Sequence, residues 1–288
     1  MKNFIIFNTE KEGSCALVQT LDNFNEINII SDFIEPFDKH MFINKQNGLG
    51  KDISKEDFLK CLSLIYDSSN NYLEELNVIY SKYNNQCHFT FSKDKSHGFK
   101  MRLRRQWKAE LFSLLKQFHV TAFVLIRQDV LRWALSKYHG DGTGRKGHLQ
   151  FDHVNIKDLP KIKVNWRLLK KKIERCQRRI EDKERLLKDL RASGVEAFPL
   201  FYEDFCNKKF DYFKHLLRRL DTKMTDREIQ QVISNDCHFR KVHPDDIGEF
   251  VKNHEKITKK FGEYMMQKKV SHRHFIFSIP KIISRSFL

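Results

Sequence analysis

The sequence has few of the residues that interrupt regular structure, with only 5 prolines and 11 glycines in 288 residues. So few of either leave little room for long linkers or low-complexity segments, and no internal repeat is visible. Hydrophobic residues make up 40% of the chain, which is enough for a substantial core. We therefore expect one globular domain over residues 1–288 rather than two.

Paired cysteine motifs and long apolar runs are missing as well. The 6 cysteines include no Cys-x-x-Cys pair: they are Cys15, Cys61, Cys87, Cys176, Cys206 and Cys237. This scatter argues against a structural zinc site and against the disulfide framework of a secreted protein. The sequence has no run of about 18 apolar residues, as a membrane span requires, and its N-terminal apolar run is too short for a signal peptide. These features predict a cytoplasmic, reduced protein.

Two nucleotide-binding fingerprints are also absent. No Gly-Lys-Ser or Gly-Lys-Thr occurs, so the chain has no Walker A loop to hold a triphosphate and its magnesium ion. The glycines at 140, 142 and 144 do not follow a predicted strand, so they do not form a dinucleotide-binding turn. A nucleotide kinase of related fold is therefore disfavoured.

What the sequence has in excess is positive charge, with a formal net charge of +16. This excess suits nucleic acid, membrane phospholipid or a small polyanion such as a nucleotide, and solubility alone is a further explanation. Much of it lies in residues 100–108 and 161–191. We expect both segments to present solvated faces, with acceptor binding as the alternative role for the first.

Apolar runs alternate with helical periodicity along the chain. The predicted strands cover residues 4–7, 26–34, 97–103, 120–126 and 195–202. The predicted helices include one starting after Ser54 and others over 106–118, 164–192 and 246–261, with a loop over 139–147 and an apolar, basic tail over 271–288. This order predicts an α/β fold with a doubly wound, mainly parallel sheet whose ligand binds at the carboxyl ends of the strands.

The first predicted strand is followed by a short polar turn with one glycine, Gly13, and then by a helical pattern. A strand, a small-residue turn and a helix together aim backbone N–H groups and a helix N-terminus at an anion. Lys11 adds a cation within this turn, and Arg127 follows the apolar run 120–126. We therefore expect two features that can bind phosphate, the turn with Lys11 and the end of the run with Arg127, on the same edge of one sheet.

These residues resemble the motifs of the sulfotransferases. The segment Thr9-x-Lys11-x-Gly13-Ser14-Cys15 is similar to the family's 5′-phosphosulfate loop, and Arg127-x-Asp129-(x6)-Ser136 is similar to its 3′-phosphate signature. Further similar segments follow in the family's order over most of the chain: Glu35-Pro36-Phe37, His97-Gly98-Phe99-Lys100, the Tyr202-Glu203-Asp204 stretch, and Lys241 with residues 251–255. Of these segments, Glu35-Pro36-Phe37 is similar to the acidic element that follows the second strand in the bacterial members.

The resemblance implies a P-loop-NTPase-like sulfotransferase fold and an enzyme that uses 3′-phosphoadenosine-5′-phosphosulfate (PAPS). Sulfuryl would pass to a hydroxyl or amine of a glycan, lipid headgroup or small molecule, leaving adenosine 3′,5′-bisphosphate (PAP), and no metal would be needed. The cofactor-binding residues implied are Thr9, Lys11, Glu12, Gly13, Ser14, Cys15, Ala16, Arg127, Ser136 and Lys241. Lys11 would also stabilise the leaving oxygen, and Glu35 would be the catalytic base, with His40 and His88 as rivals. The acceptor would meet Phe37, His40, His88 and Lys100.

Two residues depart from the family pattern. Cys15 replaces the usual threonine, and Glu12 stands where serine or threonine is usual. A carboxylate beside a phosphate is repulsive, so Glu12 predicts either weakened binding or a side chain that points away from the loop mouth.

A basic protein that binds nucleic acid or another polyanion without catalysis is the alternative function. Such a protein needs aromatic residues interleaved with lysine and arginine on one surface. The 25 phenylalanines instead occupy mostly apolar, periodic positions, which favours a core role for them and predicts no specific nucleic-acid partner.

Overall fold

The computed structural model describes residues 1–9, 12–30, 54–67, 74–75, 78–79, 95–101, 108–142, 161–235 and 246–265. Within these residues, five strands form one parallel sheet in the order β2-β3-β1-β4-β5. The strands are β1 (Phe4–Phe7), β2 (Ile27–Ile30), β3 (Ser96–Met101), β4 (Thr121–Ile126) and β5 (Ala197–Phe201). The predicted α/β fold with a parallel central sheet is confirmed.

Strand β4 lies in the interior of the protein and runs parallel to its neighbours. All six of its residues are buried, as in a strand covered by helices on both faces. In register, Phe7 at the end of β1 lies beside Val124 of β4 and Met101 of β3, while Ile126 lies beside Phe201 of β5. The segments that follow β1, β4 and β5 therefore leave the sheet at one edge, called here the carboxyl edge.

Nine α-helices have both bounds in the described part of the chain, and residues 74–75 and 78–79 are helical as well. The nine are α1 (Ser14–Asp22), α2 (Lys55–Asp67), α3 (Lys108–Gln117), α4 (Val130–Gly142), α5 (Trp166–Ala192), α6 (Tyr202–Asn207), α7 (Lys209–Arg219), α8 (Asp226–Asn235) and α9 (His254–Phe261). Ser54 caps α2 as predicted, since its Oγ accepts the N–H of Asp57 at 3.0 Å. None of these helices combines the length and the apolar character that crossing a bilayer demands.

The core has three parts that follow from the sheet. Helices α2 and α3 and the C-terminal half of α5 cover one face, and α1, α7 and α8 cover the other. The third part lies beyond the carboxyl edge, where the N-terminal half of α5 packs against α4 and α9. Helix α5 thus runs from this outer cluster down onto one face of the sheet.

Two predicted elements are wrong. Helix α4 continues through Gly142, so residues 139–142 of the expected loop are helical. The expected helix over 246–261 is a 3-10 turn, Ile247–Glu249, followed by a break and then by α9. The break has a physical cause, because Ile162 donates its N–H to Phe250 and accepts that of Lys252 in a short parallel bridge. Residues 143–147 and the tail 271–288 lie outside the described residues.

The expected solvated face at 100–108 is also wrong at its start. Lys100 lies in β3 with only 2% of its side chain exposed. Charge alone predicted exposure, but a central strand of a covered sheet has no solvent-facing side. Residues 102–107 of that segment lie outside the described residues.

Gly98 tests the packing between β3 and β1. A Cβ at this position would lie 2.1–2.4 Å from ring atoms of Phe4, a fully buried side chain. We expect Gly98→Ala to lower the free energy of unfolding by about 1–3 kcal/mol through overpacking. Chemical denaturation measures this effect, and Gly262→Ala is the matched control, since its Cβ would meet no atom closer than 3.8 Å.

The smaller side chain in Phe4→Leu should relieve this clash. The double variant Phe4→Leu/Gly98→Ala is therefore expected to lose less unfolding free energy than the two single variants lose in total. Strict additivity would contradict the proposed contact.

Candidate functional site

The loop between β1 and α1 is shaped by Gly13. This residue has φ of +81°, in the left-handed region, and a Cβ on it would lie 2.3 Å from Cε2 of Tyr202. Only glycine fits both conditions. At the base of the loop, Asn8 Nδ2 donates to Ser14 Oγ at 3.0 Å. Lys11 of this loop lies outside the described residues.

Helix α1 presents its N-terminus at the carboxyl edge of the sheet. Gly13 is its N-cap, no described side chain caps the helix, and its first turn contains no acidic residue. The first amide bonded within the helix is that of Leu17, which donates to the Gly13 carbonyl. The amides of Ser14, Cys15 and Ala16 therefore point out of the helix, as in sites that bind phosphate.

Glu12 turns away from these amides and into the protein. Its side chain is fully buried, and Oε2 accepts the N–H of Thr9 at 2.7 Å. The same oxygen accepts a hydrogen bond from Nζ of Lys183, a buried residue of α5 that also donates to the carbonyl of Leu125. Of the two outcomes expected for Glu12, this geometry is the one in which the carboxylate does not face the loop mouth.

Lys183 is the site residue that the sequence pattern missed. Burial lowers the pKa of Lys183, and the carboxylate of Glu12 raises it again. The nearby positive charge of Arg179 lowers it further. The signal was present in the sequence, because position 183 continues the apolar face of α5 that includes Ile173, Cys176 and Leu190. A lysine at such a position predicts a buried cation with an acidic partner.

Arg127 follows β4 and is also buried, with 7% of its side chain exposed. Its guanidinium carbon lies 4.6 Å from the centroid of the Tyr202 ring, the same ring that packs on Gly13. Burial raises the pKa of Tyr202, so its hydroxyl stays protonated at neutral pH. A single aromatic side chain thus joins the β1–α1 loop to the end of β4.

Glu203, the next residue along, fixes the turn between β4 and α4. Its two carboxylate oxygens accept the N–H groups of Gln128 at 3.1 Å and Asp129 at 2.9 Å. Burial raises the pKa of Glu203, and these backbone donors oppose that rise. Asp129 in turn caps α4 by accepting the N–H of Arg132 at 2.9 Å. Both ends of the turn after Arg127 are therefore held in place.

Lys100 reaches the same loop from the other neighbouring strand. It lies beside Ile6 of β1 in register, and its Nζ is 3.5 Å from Sγ of Cys15 in the first turn of α1. The structure therefore places this cation next to the helix N-terminus and not on an outer surface.

The remaining predicted residues divide into two groups. Ser136 is half-buried on α4, seven positions after Asp129. Lys11, Glu35, Phe37, His40, His88 and Lys241 lie outside the described residues. The structure thus brings Thr9, the loop residues 12–16, Lys100 and Arg127 to one edge of the sheet.

No protein-family model matches the chain, and no curated protein is similar to it in sequence. Three solved structures of sulfotransferases are similar to it. Sulfotransferase STF9 from Mycobacterium avium is 10% identical with a TM-score of 0.39, over 91% of this chain and 76% of that one. Mouse sulfotransferase SULT7A1, complexed with PAP, is 13% identical with a TM-score of 0.41, over 93% and 85%. The sulfotransferase domain from the curacin biosynthetic pathway is 13% identical with a TM-score of 0.39, over 94% of each chain.

These three proteins belong to the family that the sequence motifs resemble.

The buried pair of Glu12 and Lys183 can be tested by double substitution. Lys183→Met leaves the Glu12 carboxylate buried without its cation, so we expect the free energy of unfolding to fall by about 3–5 kcal/mol. Glu12→Gln/Lys183→Met removes that charge as well and should recover most of the loss. Chemical denaturation of both variants measures the difference.

The control is Lys170→Met, which removes an exposed lysine 3.9 Å from Glu174 on the same helix. We expect no measurable change there, because exposed pairs contribute little. A double variant no more stable than Lys183→Met would show that Glu12 is not the cause.

Proposed function

We propose that this protein is a PAPS-dependent sulfotransferase. The observation that carries the proposal is a pair of features that can bind an anion at the ends of adjacent strands: the N-terminus of α1 after β1, which no described side chain caps, and the buried cation Arg127 after β4. Tyr202 packs on both. PAPS has two anionic groups, a 5′-phosphosulfate and a 3′-phosphate, and two separate sites suit it better than one continuous triphosphate cradle.

The loop would hold the 5′-phosphosulfate. The backbone amides of Gly13, Ser14, Cys15 and Ala16 are the proposed donors, with Thr9 at the start of the loop. The inward direction of Glu12 supports this role, since its carboxylate is taken up by Lys183 and Thr9 and does not repel the ligand. Lys11 is proposed to stabilise the negative charge that develops on the leaving oxygen.

The second site would hold the 3′-phosphate. Arg127 offers a guanidinium fork, Ser136 a hydroxyl, and Lys241 a further cation. PAPS supplies an activated sulfuryl group whose bond to the 5′-phosphate breaks during transfer. The acceptor oxygen or nitrogen bonds to sulfur, the electron pair of the broken S–O bond stays on the phosphate, and PAP leaves.

The acceptor's proton needs a base, and Glu35 is proposed for it, with His40 and His88 as the alternatives. Phe37 is proposed to contact the acceptor. The position of Lys100 beside Cys15 supports a role for this cation at the transferred sulfuryl group. The acceptor is a hydroxyl or amine of a glycan, lipid headgroup or small molecule, and cytoplasmic location stays a prediction from the sequence.

Ligand binding tests the proposal directly. We expect PAP to raise the melting temperature of the protein, because a ligand at 100 times its Kd stabilises the folded state by about 2.7 kcal/mol. Arg127→Ala and Lys11→Ala should each remove most of this shift, as each deletes a cation facing a phosphate. Thermal unfolding with and without PAP measures it.

Arg178→Ala is the matched control, since Arg178 is an exposed arginine of α5, and its shift should equal that of the wild type. If PAP does not change the melting temperature but oligonucleotides raise it, the result would instead support the alternative function of nucleic-acid binding. A normal shift in both Arg127→Ala and Lys11→Ala would mean that PAP binds elsewhere.

A further inference from the structure

Two cationic residues of helix α5 lie where this helix passes the carboxyl edge of the sheet. Its later residues Leu186, Leu187 and Leu190 pack in the core on the sheet, while Leu169, Ile173 and Cys176 pack with α4 beyond the edge. Between these two sets lie Arg179 and Lys183. Lys183 bonds to the carbonyl of Leu125, so this part of α5 lies level with the end of β4.

Arg179 is one helical turn before Lys183 and therefore on the same face of α5. Moving from Lys183 toward Cys176 leads from the sheet to the cluster around α4, so Arg179 lies just past the carboxyl edge. This is the edge from which Arg127 emerges and on which α4 begins. This part of α5 thus lies at the same edge of the sheet as the second proposed anion site.

One nitrogen of the Arg179 guanidinium lacks a hydrogen-bond acceptor among the described residues. This atom, Nη1, is buried and has no hydrogen-bond partner in the described part of the structure. A buried donor without an acceptor is costly, and more so when it is charged. Glu12 bonds to Lys183 and Thr9 through Oε2, and its Oε1 also has no hydrogen-bond partner among the described residues, so this carboxylate is not paired with Arg179 there.

The charges around Cys176 show which groups share this space. Burial raises the pKa of the Cys176 thiol, the cations Lys137, Arg179 and Arg127 oppose that rise, and Glu12 adds to it. Lys137 Nζ also lies 5.0 Å from the ring centroid of Trp133, and Lys183 Nζ lies 5.8 Å from the same centroid. Arg127 after β4, Lys137 on α4 and Arg179 on α5 are therefore all near enough to act on the same buried thiol.

We propose that Arg179 binds the 3′-phosphate of the donor nucleotide together with Arg127 and Ser136, and that it gives the site its preference for 3′-phosphorylated nucleotides. This inference rests on the proposed function. A phosphate group supplies both the acceptor that Nη1 lacks and the negative charge that these cations attract, and the planar fork of an arginine suits phosphate geometry. The long basic helix then has a binding role as well as a solvated face.

Calorimetric titration with two ligands tests Arg179 separately from the fold. Adenosine 5′-phosphate lacks the 3′-phosphate, and PAP has it. We expect Arg179→Gln to weaken PAP binding by about tenfold or more, since a charged hydrogen bond is lost, while binding of adenosine 5′-phosphate stays within about twofold of the wild type. Arg179→Lys keeps the charge without the fork and should give an intermediate loss.

Arg178→Gln is the matched control, because it removes an exposed arginine from the adjacent position, and it should bind both ligands as the wild type does. Unchanged PAP binding in Arg179→Gln would overturn the role of Arg179 and leave the proposed function intact. An equal loss for both ligands would also overturn it, because the residue would then support the site as a whole. A wild-type protein that binds neither nucleotide would instead refute the proposed function. If Arg179→Gln fails to fold, the same comparison is made with Arg179→Lys.

Discussion

The buried ion pair between Glu12 and Lys183 is the interaction on which the site depends. It joins three parts of the fold, since the carboxylate holds the backbone of Thr9 and the ammonium holds the carbonyl of Leu125 from α5. Removing two charges from water is expensive, so such a pair adds little net stability, but losing either partner leaves an uncompensated charge. The direction of the phosphate loop is therefore tied to the position of the long helix.

The positions of the two proposed anion sites follow from the topology of the sheet. Parallel strands end at one edge, and the order β1-β4-β5 places the segments after these strands side by side. Tyr202 and Glu203, directly after β5, then act on both neighbours: the tyrosine ring packs on Gly13 and Arg127, and the carboxylate fixes the turn after Arg127. Three strand ends thus share one rigid support.

Much of this arrangement could be predicted from sequence pattern. The apolar run that becomes β4, the glycine before α1 and the long helix α5 are local signals, and the sheet edge follows from them. The choice between the two outcomes expected for Glu12, the burial of Lys100 and the break after Glu249 could not be predicted. Each depends on a partner distant in sequence, Lys183, the covering helices or Ile162, and periodicity records only which residues are apolar.

The pairing of Glu12 with Lys183 also constrains how this loop can change during evolution. A serine or threonine at position 12 would leave Lys183 as a buried cation without its carboxylate, and an apolar residue at 183 would leave Glu12 stranded. Either single step passes through a destabilised intermediate. The two positions should therefore covary among descendants of this chain, although 171 residues separate them in sequence.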